Sequence, residues 1–148
     1  MANLIYTRTK AKLMSGDLDL DTHDIRAMLV MTNTTADTEE DTEFVSGFTT
    51  LDEMDGAGYA RVALTGEAVA ADTVNNRGEF TCDTITFPSV DAGTRQVAAM
   101  LLYRHVTNDA DSIPIAYIDT LGVGSFPFTA NGGDVQIAPD AEGVLQLA

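Results

Sequence analysis

Residues 78–106, GEFTCDTITFPSVDAGTRQVAAMLLYRHV, limit what this chain can fold into more than any other stretch. They read as two β-type runs joined by a turn at 88–93. The first run sets Phe80, Cys82, Ile85 and Phe87 among Thr and Asp, and β-branched and aromatic residues fit a pleated, half-buried surface. Its apolar phase slips by one between Cys82 and Ile85, which predicts a β-bulge or a change of buried face. The second run, 97–106, is almost continuously apolar through Leu102 and includes Met100, Leu101 and Tyr103. A run so short and so apolar is either a central strand covered on both faces or a buried helix, and its strand neighbours favour the strand. The other strands are expected to be recruited to bury this pair.

Residues 4–14, LIYTRTKAKLM, contain no Gly or Pro and predict a short helix stopped by Gly16. The helix holds Arg8, Lys10 and Lys12, three of the chain's eight basic residues. It either packs on its own acidic domain or forms an arm, residues 1–15, reaching an acidic neighbour subunit. As an arm it could be removed with the fold left intact. Strands are predicted over 24–32, 59–64, 67–73, 113–119, 134–138 and 142–147. A hairpin-type turn falls at 75–78, and Pro114 places its strand at an edge or at its own start. The loop at 122–128 offers Phe126 and Phe128 to a core. Residues 33–58 form a long acidic loop. Its first part is expected to be solvated. In its later part Phe44, Val45, Phe48, Leu51 and Met54 recur at roughly helical spacing and are read as capping one end of the core, a binding motif for a partner being the alternative. Connections this long are functional or mobile, so an interface is sought here first. About eight or nine short strands with little helix indicate an all-β sandwich or barrel in one domain, residues 1–148.

Charge and motifs narrow the function. With 23 acidic residues against 8 basic ones the formal charge is −15, a surface that repels phosphate backbones, so no nucleic-acid partner is expected. No apolar run reaches the length of a membrane span, and residues 1–15 lack the apolar core of a secretory leader, so a soluble chain is expected. Cys82 stands alone in a predicted strand, which rules out an internal disulfide and reads as an inert buried thiol. Asp17, Asp19 and Asp21 alternate as in a calcium loop, but the sixth position lacks glycine and the twelfth is Met28, so no metal is assigned. His23 and His105 are isolated. No HExxH, GxSxG or Walker-type motif is present, and the GVG at 122–124 is too short to cradle phosphate. No catalytic, cofactor or metal residue is therefore assigned, and an enzyme is not expected.

One resemblance runs through most of the chain. GAGYARVAL at 56–64, NNRGEF at 75–80, DAGTRQVAAMLLYRH at 91–105, PIAYID at 114–119 and NGGDVQIAPDAEGVLQL at 131–147 follow a DLDxDTxxI pattern at 17–25. In this order they resemble small virion proteins of tailed bacteriophages. The resemblance implies an antiparallel jelly-roll-like β-sandwich acting as a non-enzymatic capsid decoration (cement) protein. It implies a place on the capsid exterior after assembly in the host cytoplasm. The major capsid protein would be its partner, together with its own copies as a dimer or trimer. Arg8, Lys10, Lys12, Phe44 and Phe48 are the candidate protein-contact residues. The alternatives are a phage neck or tail adaptor or host-binding fibre module, and a carbohydrate-binding sandwich using exposed aromatics such as Tyr59 and Tyr103.

Overall fold

The computed structural model describes residues 3–121 and 126–148; the GVG at 122–124 falls outside the described residues. The fold is mostly β, built from antiparallel sheets with one short α-helix. β2 (Ile25–Met31), β7 (Val97–Arg104) and β8 (Ile113–Ile118) form the centre of a five-stranded sheet. β1 (Leu4–Ile5) and β3 (Val62–Ala63) are its edges, in the order β1-β8-β7-β2-β3. β4 (Ala68–Asp72), β5 (Arg77–Thr81) and β10 (Leu145–Leu147) make a three-stranded sheet ordered β10-β5-β4, and β6 (Ile85–Phe87) pairs with β9 (Val135–Ile137).

The central sheet is buried on both faces, and its sequence shows why. Along β2, Ala27, Leu29 and Met31 belong to one apolar cluster while Met28 and Val30 belong to another. The register carries this alternation across the sheet, with Leu29 opposite Met100 and Met28 opposite Leu101. Strands apolar on both sides are stable only when both faces are covered. The first face is covered by the small sheets through Phe80, Leu145, Ile85, Phe87 and Ile137. The second face is covered by no sheet. Tyr6, Ala36, Val45 and Phe48, mostly from the acidic loop, close over it.

The structure changes several expectations. β6 and β7 are not partners. Both edges of β7 are taken by β2 and β8, so β6 turns to β9, with Ile85 opposite Ile137. The phase slip between Cys82 and Ile85 marks a change of sheet: β5 ends at Thr81 with β4 and β10 as partners, and β6 begins at Ile85 with β9. The strand expected over 59–64 contracts to β3, where only Val62 and Ala63 pair with β2, opposite Ala27 and Arg26. Pro114 lies one residue into β8, at a shift in the ladder beside Tyr103 where its missing N–H leaves no gap. Its free carbonyl accepts from the Thr9 hydroxyl at 2.6 Å.

The helix α1 (Thr7–Ser15) starts later than expected, because Leu4 and Ile5 pair with Tyr117 and Ala116. Tyr6 is fully buried and its hydroxyl donates to the Ala36 carbonyl at 2.6 Å. Residues 4–6 are thus part of the sheet and the second core, so cutting away residues 1–15 would not spare the fold. Gly16 ends the helix at φ 80°, a left-handed turn that lets the Asp17 N–H reach the Lys12 carbonyl at 2.9 Å.

The long acidic loop is tied down at many points. Met31 N–H donates to Asp52, Thr35 N–H to Thr50 and Met54 N–H to Leu29, at 2.7, 2.8 and 2.9 Å. Val45 and Phe48, with Leu51 at the margin, cover the second face of the central sheet, where sequence spacing placed the five residues at one end of the core; Met54 joins the first cluster and Phe44 stays at the surface. Part of its charge is put to structural use. The Glu39 carboxylate accepts from the Thr49 N–H and the Thr35 hydroxyl, at 2.8 and 2.9 Å, and also from the Thr49 hydroxyl.

Candidate protein-contact surface

Most side chains that could carry chemistry are engaged in holding loops together. Arg61 forks between Glu53, at 2.7 Å, and Asp109, at 2.5 Å, and lies over the Tyr103 ring 5.2 Å from its centre. Tyr59 donates to the same Glu53 at 2.9 Å and accepts from the Leu29 N–H, so this network joins β2, β3 and the 107–112 turn. Arg95 pairs with Asp52, Arg26 with Asp24, and Arg77 with Asp72, Glu79 and Glu142. Arg104 donates to the Asp17 carbonyl. The guanidinium groups beside Asp24, Asp52 and Asp109 hold those carboxyls below the usual carboxylate range.

The histidines and the cysteine are likewise in structural settings. His23 Nδ1 accepts from the Asp19 N–H at 3.0 Å, bracing the 16–24 loop. His105 meets the Tyr103 ring edge-on and its N–H donates to the Asp24 carbonyl. Cys82 is buried, and burial pushes its thiol up to about 12. Tyr103 is fully buried and Tyr59 stacks on Phe87 at 6.0 Å, so neither presents the open ring face that sugar stacking requires. Among the described residues no group of three or more His, Cys, Asp or Glu is disposed to hold a metal ion, and no helix is long and apolar enough to cross a membrane.

Against that background α1 stands apart. Of the eight basic residues, five are held by carboxylates or a backbone carbonyl. Arg8, Lys10 and Lys12 make no ion pair with any described residue, and all three lie on this one helix. Arg8 and Lys10 are exposed and Lys12 is half-buried. Only Thr9 of the helix is buried, and no acidic side chain occupies its first turn. A cation in that turn opposes the helix dipole. Beside the helix N-terminus runs the acidic loop, whose Glu40 carbonyl accepts from the Thr7 N–H at 2.9 Å.

The two aromatic candidates separate. Phe44 is 36% exposed at the start of a 3₁₀ turn, Val45–Gly47. Phe48 is 8% exposed and its ring lies 5.5 Å from that of Tyr6, inside the second core. Of the five candidate contact residues, Arg8, Lys10, Lys12 and Phe44 are thus at least partly exposed, while Phe48 serves the fold. The sequence alone could not show which cations are already engaged, because their partners lie 8 to 48 residues away in the Arg61 network. Comparison with known proteins gives no match: no family model, no curated protein and no solved structure.

Proposed function

We propose that this chain is a non-enzymatic structural subunit that acts through protein contacts, and specifically a bacteriophage capsid decoration protein that binds and stabilises the shell of major capsid protein. The observation that carries the reading is the segregation of charge. In a chain of net charge −15 the three cations without an ion-pair partner among the described residues lie on one exposed helix, Arg8 and Lys12 a turn apart on one side and Lys10 on another, a helix suited to an acidic protein neighbour. The exposed Phe44 adds an apolar anchor of the kind that dominates interface energies. Each contact would bury about 800 Å² per partner, and symmetric repetition would multiply a modest affinity across the particle. The layered antiparallel sheets are compatible with the jelly-roll-like sandwich that the phage resemblance implies, and the capsid exterior is the location that goes with it.

Counting copies in purified virions by quantitative mass spectrometry tests this reading. Hundreds of copies per particle are expected of a decoration subunit. A dozen or fewer would move the protein to the neck or tail, and absence from the particle would end the assignment.

A further inference from the structure

The three-stranded sheet has one polar and one apolar face, and the apolar face outruns the core. Its register places Val69 opposite Phe80 and Phe80 opposite Leu145; one rung further out, Ala71 faces Gly78 and Gly78 faces Leu147. Phe80 and Leu145 are buried in the first core. The outer rung is not covered: Leu147 is 39% exposed and a Cβ placed on Gly78 would meet nothing within 4 Å, and on the inner rung the edge residue Val69 is also 54% exposed. The opposite face of the same sheet is polar, with Arg77 held by Asp72, Glu79 and Glu142 at 3.0–3.2 Å. A sheet patterned in this way needs a covering layer along the whole length of its apolar face.

The uncovered rung is one wall of a groove of about 390 Å³. Leu13 of α1 and Leu18 and Leu20 of the following loop make the other wall, and Asp19 and Asp21 stand at the rim. These two carboxylates are fully exposed neighbours. A hydrogen bond with the Asp19 carboxylate, and then the negative charge of that neighbour, raise the Asp21 carboxyl above its ordinary value. The groove is thus matched to an apolar side chain flanked by positive charge. α1 carries one. Met14 is 89% exposed, and Lys10, four residues earlier, is its neighbour on the helix surface.

We propose that this groove receives α1 of a second copy of the chain, with Met14 inserted against the outer rung and Lys10 set against Asp19 and Asp21. Leu13 of α1 lines the groove of its own chain, so knob and groove are neighbours on one surface. A two-fold axis between them lets each copy give and receive the same contact, and the assembly closes as a dimer. At physiological ionic strength the screening length is about 8 Å, so the net negative charge of the two bodies is largely screened while the close Lys–Asp contacts persist. The inference rests on the reading of α1 as a contact element and names a second copy as what it contacts.

Sedimentation velocity on the full chain, with virion attachment measured in parallel, tests it. The wild-type chain should be a dimer. Gly78→Leu places its Cβ where nothing lies within 4 Å and its branch in the groove, and it should yield a folded monomer, checked by circular dichroism. Lys10→Glu should weaken the dimer at least tenfold, and combining it with Asp19→Lys and Asp21→Lys should restore it. A wild-type monomer at the highest soluble concentration, or a dimer indifferent to Gly78→Leu and Lys10→Glu, would overturn the proposal. If Gly78→Leu abolished virion attachment while leaving the oligomeric state unchanged, the groove would belong to a different protein, which also overturns it. Conversely, a groove-dependent dimer from a chain missing from virions would retire the capsid assignment alone.

Discussion

Arg61 shows how this chain uses scarce positive charge. One guanidinium joins Glu53, Asp109 and the Tyr103 ring, with its side chain about three-quarters buried. Arg61→Met would keep the stem's packing but leave two carboxylates facing each other. A fully buried pair broken in this way costs 3–5 kcal/mol; the partial exposure of this one reduces the expectation to about 2 kcal/mol. Urea denaturation measures it, and a loss below half a kcal/mol would show the network to be incidental. Arg61→Lys should recover only part of the loss, because an ammonium cannot fork between two carboxylates. Cys82, its thiol raised to about 12 by burial, should resist iodoacetamide at pH 8 in the native protein and react only on unfolding. Rapid native labelling would contradict its placement. Asp24, Asp52 and Asp109 titrate lower in the folded chain than in the unfolded one, each through a hydrogen-bonded arginine. Their stabilisation is therefore complete above the unfolded carboxylate value of about 3.9 and is lost as pH falls through the folded values. The urea midpoint should hold from neutrality to about pH 5 and decline below about pH 4. A midpoint that rises through pH 4 would mean that relief of the −15 charge outweighs these pairs.

At the scale of elements, the acidic loop behaves as a structural layer. Phe48 packs on Tyr6 over the second face of the central sheet, so Phe48→Ala should cost about 3 kcal/mol in urea unfolding. Phe44→Ala, at the surface four residues away, should change stability by less than about 0.5 kcal/mol. Equal losses at the two positions would refute the division between core and surface. The same elements show what could be read in advance. β2, β7 and β8 were legible because a strand apolar on both faces leaves a continuous run, and the hairpin β4–β5 because Asn75, Asn76 and Gly78 mark its turn. The pairing of β6 with β9 was not legible: about fifty residues separate them, and only competition for the edges of β7 decides it. The phase slip after Cys82 was visible, but not that it moved the chain between sheets. Nor could spacing reveal the loop's role, since irregular backbone has no period and its covering residues are selected by the face they meet. The candidate site was half legible, in that the clustering of Arg8, Lys10 and Lys12 is plain in sequence while the engagement of every other basic residue is not.

The whole molecule combines a core buried on both sides of one sheet, a surface carrying most of its 23 carboxylates, and one helix whose positive charges make no ion pair with any described residue. The histidines, the cysteine and the tyrosines Tyr59 and Tyr103 all sit in structural settings. Function on this account belongs to the exterior, and α1 is its most distinctive part. The helix cannot be deleted as a test, because residues 4–6 belong to the sheet and the second core. Its charge can be reversed without touching either. The decisive measurement is co-sedimentation of the wild-type chain and of the Arg8→Glu, Lys10→Glu, Lys12→Glu variant with undecorated capsid shells of the tailed phage to which the proposal assigns it. The wild-type chain should pellet with the shells and the variant, still folded, should remain in the supernatant; equal binding by both would remove α1 from the mechanism and the central claim with it.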